Sequence, residues 1–135
     1  MIALDTVDVA EGLFKVMTKD QRVVPFRHNV AQTLLYSARP KGRRQLVLKA
    51  RQQGVSTGIE TWFLADCVVI PGTHATIMSH SQEETADLMA RVHFALDTMD
   101  APPRVIPRHF DSKYEVSFPV TQASFKVRTA GARVT

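Results

Sequence analysis

Apolar and polar positions along the chain alternate between helical and extended patterns. Residues 5–17 place Val9, Leu13, Phe14 and Met17 on one side of a short amphipathic helix, with Gly12 as its weak point. Residues 22–26 are extended, because the residues ahead of Pro25 avoid the helical region. Val30, Leu34 and Leu35 predict a helix over 28–38 with those three as its buried stripe. Asn29 is its cap, and Pro40 and Gly42 end it. A strand at 44–48 then runs into a basic, polar loop from Lys49 to Val55. Ser56 and Thr57 open a helix reaching about Ile70, with Ile59, Trp62, Phe63, Val69 and Ile70 at helical spacing.

Pro71 and Gly72 make a turn, and residues 74–79 form the next strand. Ser81 and Glu84 have the spacing of a capping box, which opens a helix to about Met99. Residues 101–103 break that helix, and 104–112 read as a loop. Residues 113–118 and 123–128 alternate like half-buried strands around a turn at Pro119, and 129–135 are loop-like. Strand, helix, strand, helix is the order of an α/β domain with a mainly parallel sheet.

Composition narrows the class. At 135 residues, 44% hydrophobic and 22% charged, the chain is long and apolar enough for one domain with a core. No apolar run approaches the roughly 18 residues of a membrane span. The acidic start lacks the basic region and cleavage site of a signal peptide, so it does not read as one. Cys67, the one cysteine, reads as a buried helical thiol. The net charge of +4 permits an anionic partner without requiring one.

The strand–loop–helix at 44–70 is where chemistry is expected. Such a loop aims successive backbone N–H groups and a helix N-terminus at one point, which suits a phosphate. The sequence departs twice from the phosphate-loop pattern G-x-x-x-x-G-K-[ST]: Lys49 stands at the first glycine and Val55 at the lysine. An ordinary strand-to-helix turn with solvated basic residues fits the spacing equally well. If the loop holds ATP, Lys49 or Arg51 supplies the cation on the β- and γ-phosphates. The amides of Gln52, Gln53 and Gly54 face the phosphates, and the hydroxyl of Ser56 or Thr57 meets Mg²⁺.

This stretch, LKARQQGVST, resembles the variant Walker A loop of the large terminase subunit, the DNA-packaging ATPase of tailed bacteriophages. VPFRHNVAQTLL is similar to that family's adenine-binding segment, and TIMSHSQEETADLMARVHFAL to its second strand and helix. FKVRTAGARVT is similar to the segment leading toward the Walker B strand. The likeness spans residues 20–135. It implies a RecA-like P-loop NTPase core, a helical arm over residues 1–20 and a partial ATPase domain over 21–135. In that reading the Walker B strand and the nuclease domain lie outside the sequence. The resemblance further implies ATP and Mg²⁺ as cofactors, with Phe26 and Gln32 at the adenine and Lys49, Arg51, Gln52, Gln53, Gly54, Val55, Ser56 and Thr57 at the phosphates and metal. Its partners are double-stranded DNA, the portal protein, the small terminase subunit and the missing C-terminal part. The motor works in the cytoplasm of the host cell, packaging DNA into procapsids. With Walker B acids absent, hydrolysis falls to Glu60 or Asp66 if it occurs at all. The alternatives are a non-hydrolysing nucleic-acid-binding or scaffold fragment and part of a helicase-like ATPase.

Other constellations are weaker. His28, His74, His80, His93 and His109 lack metal-type pairing, and Ser56 is not in a G-x-S-x-G elbow. Glu83, Glu84 and Asp87 cluster where a helix dipole explains them. Lys41, Arg43 and Arg44 read as a solvated face. Arg104, Arg108, Lys126, Arg128 and Arg133 offer a weak phosphate-binding surface.

Overall fold

The computed structural model describes residues 6–18, 20–38, 55–99 and 106–131. The predicted strand at 44–48 and the loop residues Lys49, Arg51, Gln52, Gln53 and Gly54 lie outside them. The described elements are α1 (Thr6–Leu13), β1 (Lys15–Met17), β2 (Val23–Pro25), α2 (Val30–Ala38), α3 (Val55–Val69), β3 (His74–Ser79), α4 (Gln82–Thr98), β4 (His109–Ser112), β5 (Glu115–Phe118) and β6 (Ala123–Thr129).

The first helix is shorter than its periodicity suggests. It ends at Leu13, and residues 15–17 form a strand paired antiparallel with β2, Val16 opposite Val24. A hydrogen bond from the Phe26 N–H to the Phe14 carbonyl (2.9 Å) closes the pair. Strand pairing gives this backbone partners that a frayed helix after Gly12 would lack. The expected stripe is kept only in part: Val9 and Phe14 are buried, whereas Met17 is 54% exposed.

α2 forms where predicted but presents another face. Val30 and Leu34 are 77% and 65% exposed, and Gln32 is buried at 4%. Leu35 and Tyr36 pack on the core, Tyr36 edge-on to Trp62 with ring centroids 5.2 Å apart. The N-terminus explains the orientation. Asn29 Oδ1 accepts the Gln32 N–H (2.8 Å), and Gln32 Oε1 accepts the Asn29 N–H (2.9 Å). This reciprocal capping box turns the Gln32 side of the helix inward.

The four-stranded sheet is mixed, in the order β3-β6-β5-β4. β3 and β6 are parallel, His74 opposite Ser124 and Ser79 opposite Thr129. β5 is antiparallel to β6 and to β4, with a register shift between Phe110 and Ser112. Among the described strands, then, the sheet is not mainly parallel. β5 and β6 are joined by a turn too short for a crossover, so they can only form a hairpin. β4 replaces part of the loop expected at 104–112. α3 and α4 both pack on β6, whose Ala123, Phe125 and Val127 point into the core with Val116, Phe118, Leu64, Val92 and Leu96.

The hairpin turn also secures the end of α3. Thr121 donates its hydroxyl to the Cys67 carbonyl (2.6 Å), and the Thr121 carbonyl accepts the Gly72 N–H (2.8 Å). Gly72 sits at φ 77, a conformation glycine adopts without a Cβ clash. Cys67 is fully buried as expected, and burial pushes its thiol up to about 12.

Candidate functional site

The candidate site is the N-terminal end of α3 and the side chains against it. α3 buries Glu60, Thr61, Trp62, Leu64, Ala65 and Cys67, so it is enclosed on several sides. Its first turn carries backbone N–H groups without intrahelical acceptors, the positive end of the helix dipole. Ser56 is exposed there and Thr57 is half-buried.

Gln32 meets α3 at Gly58. A Cβ placed on Gly58 would lie 3.2 Å from Gln32 Cγ and 3.6 Å from Cδ, so this glycine makes room for the amide. Gln32 is therefore not a solvated helix residue. The cap fixes its amide through Oε1, which accepts the Asn29 N–H. Phe26 is placed differently from a base-stacking ring. It is 2% exposed, sits in the core and packs edge-on against His28 at 4.7 Å.

His28 was not distinguished by any sequence signal, yet it joins three segments. The Trp62 indole N–H donates to His28 Nε2 (2.7 Å), and His28 Nδ1 lies 2.8 Å from Glu11 Oε1. An indole can only donate, so Nε2 must accept and Nδ1 must carry the proton. The backbone N–H of His28 also donates to Glu11 (2.9 Å). That bond first, and the imidazole second, hold the Glu11 carboxyl below its ordinary range.

Glu60 and Asp66, the acids proposed for hydrolysis, lie apart from each other. Glu60 is 3% exposed and faces α4, where Arg91 Nε and Nη2 each donate to Oε1 at 3.0 Å. Burial pushes its carboxyl up to about 7, against the pull of the guanidinium. Asp66 is half-buried toward the C-terminal end of α3, and its carbonyl accepts the Ile70 N–H (2.8 Å).

The remaining candidates are spread out. His93 stacks on Phe110 (4.2 Å), His80 pairs with Glu84 (2.5 Å), and His74 bonds Ser124 (2.9 Å). No group of three His, Cys, Asp or Glu side chains suited to a metal occurs among the described residues. Ser81 Oγ accepts the Glu84 N–H (3.1 Å), as a cap should. Lys126 pairs with Glu115 (3.6 Å) across β5 and β6, and Arg108 donates to the Ile106 carbonyl (3.3 Å). Arg128 is exposed, while Lys41, Arg43, Arg44, Arg104 and Arg133 lie outside the described residues. None of the described helices is long and apolar enough to cross a membrane. Two features escaped the sequence reading but had signals there: the Asn-x-x-Gln spacing of the α2 cap, and a glycine in the first turn of α3. No protein-family model matches this chain, and no curated protein matches it either.

Proposed function

We propose that the chain is the ATP-binding portion of a motor of the large terminase type, with a RecA-like core. The observation that carries this reading is the burial of Gln32 against Gly58, one turn into the helix that follows the predicted phosphate loop. A glutamine amide offers an acceptor and two donors, which match the N6 donor and N7 acceptor of adenine. Guanine presents two acceptors on that edge and is rejected. Lys49 or Arg51 and the amides from Gln52 to Gly54 hold the phosphates. The exposed Ser56 hydroxyl fits one ligand position of Mg²⁺, a cation that keeps most of its other positions for water and phosphate oxygens. When bound, Mg²⁺ supplies charge neutralisation between the β- and γ-phosphates.

Competition of ATP against GTP tests this reading on wild type and Gln32→Ala. Wild type is expected to prefer ATP by about 1–3 kcal/mol, the value of one amide–adenine pair, and Gln32→Ala to lose that preference. Equal binding of the two nucleotides by wild type, or a tenfold preference kept by the mutant, would remove Gln32 as the reader. Lys49→Ala and Arg51→Ala test the phosphate end by calorimetry; the site assignment falls if both bind like wild type.

The second reading, binding without turnover, is favoured by the described acids. Glu60 is buried with its Oε1 paired to Arg91, and Asp66 lies nearer the far end of α3, which supports binding without turnover. Purified chain is expected to release negligible phosphate. Robust Mg²⁺-dependent release that disappears in Ser56→Ala would reverse that.

A further inference from the structure

β1, α3 and α4 enclose a cavity of about 280 Å³ that borders Thr57 and so belongs to the site already described. Glu11, His28 and Trp62 do not line it. They form a separate junction between α1, the segment after β2, and α3. His28 is its middle member, with a side chain only 4% exposed. Phe26 meets the imidazole edge-on at 4.7 Å, and the Trp62 indole lies nearly parallel to it, with 10° between the planes. Tyr36 from α2 packs edge-on to the same indole.

This junction accommodates one imidazole proton and not two. Trp62 Nε1 and His28 Nε2 are 2.7 Å apart, and the indole can only donate. A proton taken from solvent at Nε2 would set two N–H groups against each other, at a distance that fits one hydrogen between the nitrogens. The conflict arises at whatever pH that proton binds. The two partners of the ring then respond differently. Glu11 Oε1 accepts from both Nδ1 (2.8 Å) and the backbone N–H (2.9 Å) of His28. A carboxylate holds an imidazolium more strongly than a neutral imidazole, so the doubly protonated ring stays on Glu11 and gives up Trp62. Arg27, next in sequence, donates from Nη1 to the carbonyls of Glu11 (2.8 Å) and Phe26 (2.9 Å) and leaves the carboxylate to His28. Among the described residues, Glu11, Arg27 and, against the indole, Tyr36 are the charged or titratable groups about His28.

We propose that His28 is an acid-operated latch: a second proton on its ring, at Nε2, breaks the bond to Trp62 and loosens α3 from the N-terminal arm. Trp62 also lies against Gly58, its Cζ2 3.5 Å from where a Cβ would stand, so the release reaches the wall of the candidate site. The latch does not rest on the nucleotide reading.

Trp62 is the one tryptophan, so its indole N–H gives a single resonance in heteronuclear NMR of the full chain. Lowering the pH from about 8 to about 5 spans the range in which histidines ordinarily charge. The indole resonance should move with the same midpoint as the His28 ring nitrogens, and its exchange with solvent should quicken at least about tenfold. Amides of α1 should exchange faster over the same range. His28→Gln keeps an acceptor for the indole and cannot titrate, so its indole resonance should stay in place. Glu11→Gln removes the counter-charge of the imidazolium, and its transition should move to lower pH. That second variant decides the matter if the first fails to fold. The proposal is overturned by an indole resonance that ignores the second proton on His28, or by a ring that stays neutral until the chain unfolds. A folded His28→Gln with the wild-type transition, or an unmoved transition in Glu11→Gln, overturns it equally.

Discussion

Glu60 makes the protein's stability depend on pH in a direction opposite to most carboxylates. Its carboxyl rises from 4.5 to about 7 on folding because burial outweighs Arg91. Between those values the folded chain holds a proton that the unfolded chain has lost. The unfolded state therefore binds fewer protons, and stability falls as pH rises through this window. The contribution is fully present below 4.5 and is lost above the folded value, up to about 3 kcal/mol in all. Among the described residues, Arg91 from α4 pairs with Glu60, and Lys15 from β1 lines the same cavity as Glu60. Urea unfolding at a series of pH values should show this slope in wild type and not in Glu60→Gln; parallel profiles would sink the assignment. Periodicity could not have revealed it, because position 60 reads as a polar gap in an apolar helix and its partner lies 31 residues away. Cys67 was legible for the converse reason: a small apolar thiol among Leu64, Val68 and Val69 has only the core to face. Its thiol should resist iodoacetamide in folded protein and react on unfolding, as mass spectrometry would show.

At the scale of elements, helices came through where periodicity and caps agreed, and their faces did not always follow. α3 and α4 run close to their expected bounds because each combines a long pattern with a start signal. In α2 the apolar count pointed to Val30 and Leu34, but the Asn29–Gln32 box turned a polar side chain inward. Leu34→Lys should therefore change stability by no more than about 0.5 kcal/mol, as exposed substitutions do, whereas Leu35→Ala should cost more. Equal losses in thermal unfolding would restore the original stripe. Gly58→Ala probes the contact between α2 and α3. Alanine gains about 1 kcal/mol of helix propensity, while crowding of Gln32 Cγ at 3.2 Å opposes it. Stability should stay within about 1 kcal/mol of wild type. On the nucleotide reading, the preference for ATP over GTP should fall because the amide is displaced. An unchanged preference would separate Gln32 from the base.

For the whole molecule, the α/β class was legible, and the mixed sheet was only partly so. Two strands joined by a short turn at Pro119 could have been read as antiparallel, but β4 hid in a segment that begins with prolines and arginines and carries little alternation. The N-terminal arm keeps its predicted stripe at Val9 and Phe14, but its pattern did not show that it would join the main core. Ala10 and Phe14 are 0% and 1% exposed and belong to the same core as Leu64, Val92 and Phe125. Glu11 joins that arm through His28 to Trp62 on α3, and β1 forms a wall of the cavity over α3 and α4. Truncating one buried phenylalanine costs about 3–5 kcal/mol, and a whole domain is stable by about 5–15 kcal/mol. Deleting residues 1–17 removes Phe14, Val9 and Ala10 together and strips β2 of its strand partner, a loss of the same order as that margin. The shortened chain should lose its cooperative urea transition. Trp62, the one tryptophan and 3% exposed in the fold, should shift its emission toward that of a solvated indole. A truncated chain that keeps the wild-type midpoint, denaturant slope and emission maximum would show the arm to be an appendage and the core to close without it.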